Sequence, residues 1–309
     1  MGSSLLVRVG GPALFVLLWS TGFVGAKYGL PYADPLPFLV LRLALATTLL
    51  ALLALVTRSP LPSSREQYGR ASVVGVLLHA GYLGGVFTGI GLGVPAGVAA
   101  VVTSLQPVLT AVLAVRVLGE RLRGAQVAGL LLGVVGVVLV LAPGLRASAG
   151  SPEALPVGGL LACLVALASG TSATLYQKRH GGDIPLLSGT AVQYAAATVV
   201  LLAAAVVTGE HSVQWTREFV LALGWLVVVL SLGAVLLLLV LLRRGSAAGV
   251  SSLLYLVPPA TALEALVLFD ERLAAVSVVG VGVAALGVAL VVRSPTGLRK
   301  AEVRTAPRT

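Results

Sequence analysis

The sequence predicts an all-α integral membrane protein, with ten transmembrane helices arranged as two inverted five-helix repeats. The prediction rests on composition, on the distribution of basic residues and on an internal duplication. Hydrophobic residues make up 58% of the 309-residue chain and charged residues only 10%, whereas a soluble domain carries about 25% charged residues. Because a spanning helix needs about 20 apolar residues, ten spans leave little chain for a soluble domain. The composition therefore excludes a soluble enzyme and a single-anchor protein with a globular head.

Ten apolar runs, each bounded by charged residues, proline or glycine, are the predicted spans. Arg8 and the apolar run behind it resemble a signal peptide, but the lack of a small-residue cleavage site before Lys27 favours a retained first helix. The single cysteine, Cys163, excludes an intrachain disulfide. The predicted spans are Pro12–Gly29, Pro35–Val56, Ala71–Leu92, Pro95–Leu118, Gly124–Ala142, Leu155–Tyr176, Leu186–Thr208, Glu218–Leu242, Ser246–Phe269 and Ala274–Val292.

The basic residues are distributed asymmetrically over the predicted connections. With both termini in the cytoplasm, sixteen of the 21 Lys and Arg residues lie inside. Only Arg146, Arg217 and Arg272 fall in outer connections, and Lys27 and Arg42 lie within spans. This bias follows the positive-inside rule and predicts a multi-pass protein of the cytoplasmic (inner) membrane with both termini cytoplasmic. Because topology explains the net charge of +10, no nucleic-acid partner is predicted.

The two halves of the chain repeat each other at an offset of 151 positions, so that Pro107 corresponds to Pro258, Lys27 to Lys178 and Glu120 to Glu271. Because each half holds an odd number of spans, the second half enters the membrane in the opposite orientation. Inverted repeats are a recurrent plan of secondary transporters, whose substrate site lies between the halves near the midplane. The predicted parts are a first repeat over residues 1–142, an outer linker over 143–154, a second repeat over 155–292 and a basic cytoplasmic tail over 293–309.

Several motifs resemble the EamA-type branch of the drug/metabolite transporter superfamily. The resemblance reaches to about Val292 and implies a ten-helix exporter or permease of small metabolites, often amino acids. The second repeat departs from the pattern, because Asp270 stands at the position of Gly119 and Gln193 at that of Arg42. The matching motifs are Leu18-Trp19-Ser20-Thr21-Gly22-Phe23 with Lys27, Leu41-Arg42, Ala96-Gly97, Leu105-Gln106-Pro107 and Leu118-Gly119-Glu120-Arg121.

Polar residues near the midplane of the predicted spans indicate a central substrate cavity. At about 1.5 Å per residue, His79 and Tyr82 in the third span reach a depth similar to that of Gln106 in the fourth. The alternative is that these side chains only join helices by hydrogen bonds, and Trp19 is alternatively an interfacial aromatic residue. The predicted cavity residues are His79, Tyr82, Gln106, Tyr255, Trp19, Thr103 and Ser251, with helix breaks at Pro107, Pro258 and Pro259.

Three charged residues, Lys27, Arg42 and Glu264, lie within the predicted spans, where a charge is costly and indicates function. Arg42 and Glu264 are both about 10 Å below the predicted outer surface, which predicts a salt bridge in an outer gate. The alternative is that each side chain snorkels independently to the interface. Glu264 and His79 are the candidates for proton coupling, and facilitated diffusion without a coupling ion is the alternative.

The motifs favour a transporter over an enzyme. The sequence has no His-Glu-x-x-His pair, no nucleophile with its base and no carboxylate cluster for a divalent metal, so no cofactor or metal is predicted. The predicted function is secondary transport, with export of neutral or aromatic amino acids, and drugs or nucleobases are alternative substrates. An intramembrane enzyme is the disfavoured class. The chain is predicted to act as a monomer. Its predicted partners are a small-molecule substrate, the lipid bilayer and, if transport is coupled, protons. No cation for a substrate carboxylate is evident at the midplane.

Overall fold

The described part of the chain is an assembly of helices. The computed structural model describes residues 2–117, 124–147, 154–234, 237 and 253–293. Within them, eight helices are long and apolar enough to cross a bilayer, and two further apolar helices are shorter. The predicted all-α membrane fold is confirmed. The helices are α1 (Gly2–Gly29), α2 (Pro35–Val56), α3 (Arg65–Gly91), α4 (Ala96–Thr103 and Gln106–Val117), α5 (Gly124–Arg146), α6 (Val157–His180), α7 (Leu186–Thr208), α8 (Arg217–Ala234), α9 (Val257–Phe269) and α10 (Ala275–Arg293).

Helix boundaries follow local sequence signals. Pro35 stands in the first turn of α2, where its missing N–H and fixed φ are tolerated. Ser64 and Thr216 cap α3 and α8 by accepting a hydrogen bond from the backbone N–H three residues on, each at 3.2 Å. Gly209 ends α7 in the left-handed conformation with φ of 75°. The helices overlap the predicted spans, but α1 begins at Gly2 and not at Pro12, and α9 begins at Val257 and not at Ser246. The predicted span ends Leu242 and Ser246 lie outside the described residues.

The helix packing has the symmetry of two equivalent halves. Three pairs join a helix to its own counterpart, namely α2 with α7, α4 with α9 and α5 with α10. Other contacts between the halves are also equivalent: α1 packs on α8 and α9 of the second half, and α6 packs on α3 and α4 of the first half. We call the end of the molecule at which α1 finishes the Lys27 end. Gly158, at the start of α6, lies against Leu92 at that same end, so α1 and α6 run in opposite directions, as inverted repeats require.

Glycines bring α5 and α10 into close contact. A Cβ on Gly280 would lie 2.7 Å from the carbonyl oxygen of Gly136, and a Cβ on Gly287 would lie 2.6 Å from that of Gly129. The hydroxyl of Ser277 donates to the carbonyl of Val140 across the same seam at 3.1 Å. In a bilayer, small faces of this kind join helices by close van der Waals packing. This seam therefore ties the last helix of each half together.

Connections at both ends hold α2 and α7 in place. At the Lys27 end, Asp34 accepts backbone hydrogen bonds from His211 and Ser212 at 3.1 and 2.8 Å. At the opposite end, which we call the Asp183 end, the Gln67 side chain donates to Asp183 at 3.2 Å and Arg70 lies 3.6 Å from it. These contacts, the hydrogen bond from Gln67 first, lower the pKa of the exposed Asp183 carboxyl. Both ends therefore link the two halves through loop carboxylates.

Both halves interrupt their helices at equivalent places. A π-helical segment, Val76–Leu83, lies in α3, and another, Trp225–Ala234, lies in α8. The two segments of α4 part just before Pro107, and a 3-10 turn, Leu254–Leu256, precedes α9 just before Pro258. Proline lacks an N–H and cannot bond to the preceding turn, which explains these breaks, and π segments are frequent at functional sites. The duplication thus keeps irregular backbone segments at equivalent positions in the two halves.

Candidate functional site

A polar cluster joins α2, α3 and α7 within the helix bundle. We call Arg42, His79, Gln193 and Tyr194 the Arg42 cluster. Arg42 is only 4% exposed, and its Nε is buried without a hydrogen-bond partner. The rings of His79 and Tyr194 meet edge to face with centroids 4.3 Å apart. Arg42 lies close enough to both rings to interact electrostatically. Helices from both halves therefore contribute to one buried site that contains a cation.

The π-helical segment of α3 positions His79 in this cluster. Gln193 lies within hydrogen-bonding reach of the imidazole, while Nε2 is buried without a hydrogen-bond partner. The guanidinium of Arg42 lies 5.8 Å from the centroid of the Phe87 ring, a cation–π distance. Two polar nitrogens, Arg42 Nε and His79 Nε2, are thus available for a further hydrogen bond. His79 Nε2 donates a hydrogen bond when the imidazole is protonated, or when the neutral ring carries its proton on Nε2.

A second polar group joins α3, α4 and α6. Gln106 Nε2 donates to the hydroxyl of Thr174 at 2.8 Å and to the carbonyl of Gly170 at 3.1 Å. Tyr82 lies within hydrogen-bonding reach of Thr103. A Cβ on Gly170 would lie 2.9 Å from both the Gln106 and the Tyr82 side chains. Gly170 therefore leaves the space into which the two side chains fit, and the break before Pro107 places Gln106 at the start of a helix segment.

Charged groups join α1 to α9 towards the Lys27 end. Lys27 forms an ion pair with Glu271, whose other oxygen accepts from the backbone N–H of Ala96 at 3.2 Å. The Lys27 ammonium also lies 5.0 Å from the Phe269 ring centroid. About two turns deeper, Ser20 donates to Glu264 at 2.6 Å, and the second carboxylate oxygen of Glu264 is buried without a hydrogen-bond partner. This seam holds the Lys27 end together by charge.

The structure groups the predicted site residues differently from the sequence argument. Tyr82, Thr103 and Gln106 come together, but His79 belongs to the Arg42 cluster. The predicted pair of Arg42 and Glu264 is not among the ion pairs of the described residues, because Glu264 bonds to Ser20 instead. The prediction compared only the depths of Arg42 and Glu264 along their helices, and depth does not determine which neighbouring helix each side chain faces.

The remaining predicted site residues have simpler surroundings or are not described. Trp19 packs against Phe15, with ring centroids 5.2 Å apart. Pro258 is buried in the first turn of α9, next to Pro259. Ser251 and the side chain of Tyr255 lie outside the described residues. Pro107 is the second residue of the Gln106–Val117 segment, directly after the break in α4.

Sequence reasoning did not identify several residues of these groups. Gln193 stands at the repeat position of Arg42, and this correspondence was the available signal for it. Glu271 likewise follows from its place in the repeated Glu-Arg-Leu run. Tyr194 and Thr174 had no comparable signal, because aromatic and hydroxyl residues are common in membrane helices. Arg42 was predicted to pair with Glu264, and the structure places it instead within electrostatic reach of His79.

A groove of about 450 Å³ lies away from these groups, between α2 and α7 near the Lys27 end. Its walls include Val206 and Trp215, which are 76% and 65% exposed. Exposed apolar side chains on a spanning helix are expected to contact lipid tails. The groove is therefore a feature of the lipid-facing surface. Among the described residues, no group of three or more His, Cys, Asp or Glu side chains could hold a metal ion.

The fold and the polar groups between its halves define a multi-span membrane protein built from two inverted repeats. The sequence profile of the EamA-like transporter family matches residues 12–142 and 156–293. The chain belongs to the EamA-like transporter family and is a membrane transporter, which confirms the predicted family.

Similar proteins extend this result over most of the chain. YvbV, an uncharacterized transporter of Bacillus subtilis (strain 168), is 30% identical over 266 residues, covering 84% of this chain and 83% of its own. YedA, an uncharacterized inner membrane transporter of Escherichia coli (strain K12), is 29% identical over 280 residues, which cover 90% of this chain and 88% of YedA. A solved crystal structure with 23% identity superposes with a TM-score of 0.63 over 91% of this chain and 94% of that chain. That likeness extends the shared fold to nearly the whole chain.

Proposed function

We propose that this transporter is a secondary exporter of small metabolites such as neutral or aromatic amino acids. The observation that carries the proposal is the meeting of polar side chains from both halves between inverted repeats, with His79 facing Tyr194 and Gln106 facing Thr174. In secondary transporters of inverted repeats, the substrate binds at this interface. Tyr82 and Tyr194 offer aromatic walls, which suit an aromatic or other apolar side chain.

Alternating access supplies the transport mechanism. The ion pair of Lys27 with Glu271 and the hydrogen bond from Ala96 close the Lys27 end in this conformation. Opening that end requires α1 to separate from α9 and the first turns of α6, around Cys163, to separate from Gly89 of α3. Access from the opposite end requires the last turns of α6 to move against α3 and α4. The inverted repeat supports this mechanism because two equivalent half-structures can exchange conformations across the membrane.

The proposal places the protein in the cytoplasmic membrane as a monomer, with both termini in the cytoplasm. The excess of basic residues on one side of the predicted topology supports this orientation. Protons are the candidate coupling ion, because Glu264 is the carboxylate within the described helices that has a buried oxygen without a partner. Facilitated diffusion is the alternative. The transporter family favours transport over catalysis, so no enzymatic activity is proposed.

Counterflow in proteoliposomes tests the proposal. Purified protein is reconstituted with unlabelled solute inside, and uptake of labelled L-phenylalanine, L-leucine, uracil and a cationic drug is compared. We expect counterflow of an amino acid. His79→Ala and Gln106→Ala are expected to reduce it by roughly fivefold or more, since each lost contact contributes about 1 kcal/mol. Ser172→Ala and Thr190→Ala are matched controls, because these exposed hydroxyls bond only to their own helices.

The other outcomes distinguish the alternatives. Counterflow of uracil or the drug without any amino acid would contradict the proposed substrate class and favour the alternative substrates. Chemical turnover without flux would contradict transport itself. A repeat with an imposed pH gradient separates coupled from facilitated transport, and Glu264→Gln is expected to abolish stimulation by the gradient if Glu264 carries the proton.

A further inference from the structure

We propose that the Arg42 cluster binds a carboxylate of the transported substrate. The inference rests on the proposed function, because it assigns a role within the same substrate site. It narrows the substrate class to small monocarboxylates and amino acids, and it disfavours nucleobases and cationic drugs. The chain's own residues, Arg42 and His79 above all, carry the argument.

Arg42 is a buried cation for which the described residues supply no counter-ion. It is the only charged side chain among the buried residues of the described part of the chain. The ion pairs found there join Lys27 to Glu271, Arg70 to Glu66 and Asp183, and Arg272 to Asp270, and none includes Arg42. A buried charge without a counter-ion is strongly unfavourable. A bound anion would therefore complete this site.

The geometry of the cluster favours a carboxylate. The guanidinium presents a planar fork of N–H donors that matches a carboxylate in a bidentate arrangement. Nε of Arg42 and Nε2 of His79 are both buried without hydrogen-bond partners, so each can donate to an incoming oxygen when His79 carries its proton on Nε2. Two donors from two helices on one anion would also couple substrate binding to the relative position of α2 and α3.

The duplication indicates a single negative charge on the ligand. The repeat position of Arg42 in α7 is Gln193, which is neutral and lies in the same cluster. One cation rather than two suits a monoanion better than a phosphate dianion. The Phe87 ring centroid lies 5.8 Å from the guanidinium, and Tyr194 lies within electrostatic reach of it. Aromatic rings of this kind suit an apolar group attached to the carboxylate.

Probes that differ in one chemical group test this inference on the intact wild-type protein. The thermal stability of the purified transporter is measured with L-phenylalanine, 3-phenylpropionate, L-phenylalaninamide and phenethylamine. We expect both carboxylates to raise Tm in a saturable manner and the amide and the amine to have at least tenfold weaker apparent affinity. Sodium chloride and inorganic phosphate serve as anion probes. Equal stabilisation by the amine, the amide or either inorganic anion, or none by any carboxylate, would overturn the inference.

Arg42 variants add a second test. Arg42→Gln copies the residue of the other half, and Arg42→Lys keeps the charge but loses the planar fork. We expect carboxylate binding to weaken at least tenfold in Arg42→Gln and less in Arg42→Lys, with Arg272→Gln, at an exposed pair, unchanged. Unchanged affinity in Arg42→Gln would overturn the inference. Wild-type counterflow separates the two proposals: flux of uncharged or cationic solutes alone rejects a carboxylate site but leaves transport intact, whereas no flux of any solute rejects transport.

Discussion

The helices α1 and α6 occupy equivalent positions in the two halves, yet they contact their neighbours through different chemistry. In α1, Ser20 meets the carboxylate of Glu264 on α9, and Lys27 meets that of Glu271, two residues beyond the end of α9. In α6, Gly170 and Thr174 receive the neutral amide of Gln106 from α4. At the repeat position of Gly170, α1 carries Trp19. The two halves thus share a backbone arrangement but differ in side chains. The contact between α1 and α9 is charged and has Trp19 in α1, whereas the contact between α6 and α4 is neutral and has Gly170 in α6.

This difference assigns separate tasks to the two seams. An ion pair at one end of the protein can hold that end closed, and it is released when either residue moves away or loses its charge. A neutral amide beside a glycine gives a polar surface without trapping a charge in the membrane. We therefore expect α1 with α9 to act mainly as a closure and α6 with α4 mainly as part of the binding surface. The following changes test this division.

The largest effect is expected from Gly170→Val in α6. The new side chain would collide with Gln106 and Tyr82, whose atoms lie 2.9 Å from the position of a Cβ, and both side chains would have to leave their present places. Counterflow is expected to fall at least about tenfold, a loss of about 1.4 kcal/mol or more. Tm is expected to change little, because the flexible side chains of Gln106 and Tyr82 can move aside. Gly282→Val is the matched control, since a Cβ there meets nothing within 4 Å. Normal counterflow in Gly170→Val would contradict a binding role for this seam.

The next effect is expected from Glu271→Gln, which removes the carboxylate that pairs with Lys27 at the end of α1. Breaking a largely buried ion pair destabilises the closed arrangement by about 1–3 kcal/mol after allowance for partial exposure. The single cysteine, Cys163, is fully buried in α6 near Gly89 and reports opening of this end. We expect a thiol reagent to label it about tenfold faster in the variant.

Two controls make the labelling result specific. Arg272→Gln breaks a neighbouring but exposed pair with Asp270 and is expected to leave the labelling rate unchanged. The exchange Lys27→Glu with Glu271→Lys restores opposite charges and is expected to return slow labelling. If Glu271→Gln labels as slowly as the wild type, the charged seam does not close the Lys27 end.

The fold was predictable because it depends on features that a sequence displays directly. Runs of apolar residues, Pro35 before α2 and the repeat of Pro107 at Pro258 each correspond to a helix start or break in the structure. The order of polar residues along each helix is also visible in the sequence, and Tyr82, Thr103 and Gln106 come together in one group. All of these depend on position along a single helix axis.

The partners of the charged residues were not predictable, because they depend on helix rotation. Arg42 and Glu264 were predicted at one depth but have different partners: Glu264 meets Ser20, and Arg42 lies near His79. The π-helical segment in α3 adds to this, since one widened turn changes the direction of every side chain after it. Local sequence does not determine such rotations, which follow from packing between helices.

A smaller effect is expected from Ser20→Ala, which leaves one Glu264 oxygen without its donor in the charged seam. Interhelical hydrogen bonds in membranes contribute about 0.6 kcal/mol on average, so Tm and counterflow should fall only modestly, by roughly threefold at most for flux. Thr47→Ala is the control, because its hydroxyl bonds only to the Leu43 carbonyl of its own helix. A loss as large as that of Gly170→Val would show that Glu264, and not the neutral seam, dominates transport.

The smallest effect is expected beyond the end of α6, where Asp183 meets Gln67 and Arg70 in solvent. Its pKa in the folded protein is lowered, mainly by the hydrogen bond from Gln67, below the ordinary value of about 3.9. The carboxylate therefore contributes its full stabilisation above that ordinary value, and the contribution is lost as the pH falls through the folded pKa. Asp183→Asn should lower Tm by about 1–2 °C at most near pH 7, and the difference from the wild type should shrink below about pH 4. A difference that grows as the pH falls would contradict this assignment. Because Asp183 is exposed and its partners Gln67 and Arg70 are only partly buried, solvent screens these contacts. The end of α6 is therefore held far more weakly than the end of α1, and Asp183→Asn is expected to leave Cys163 labelling unchanged.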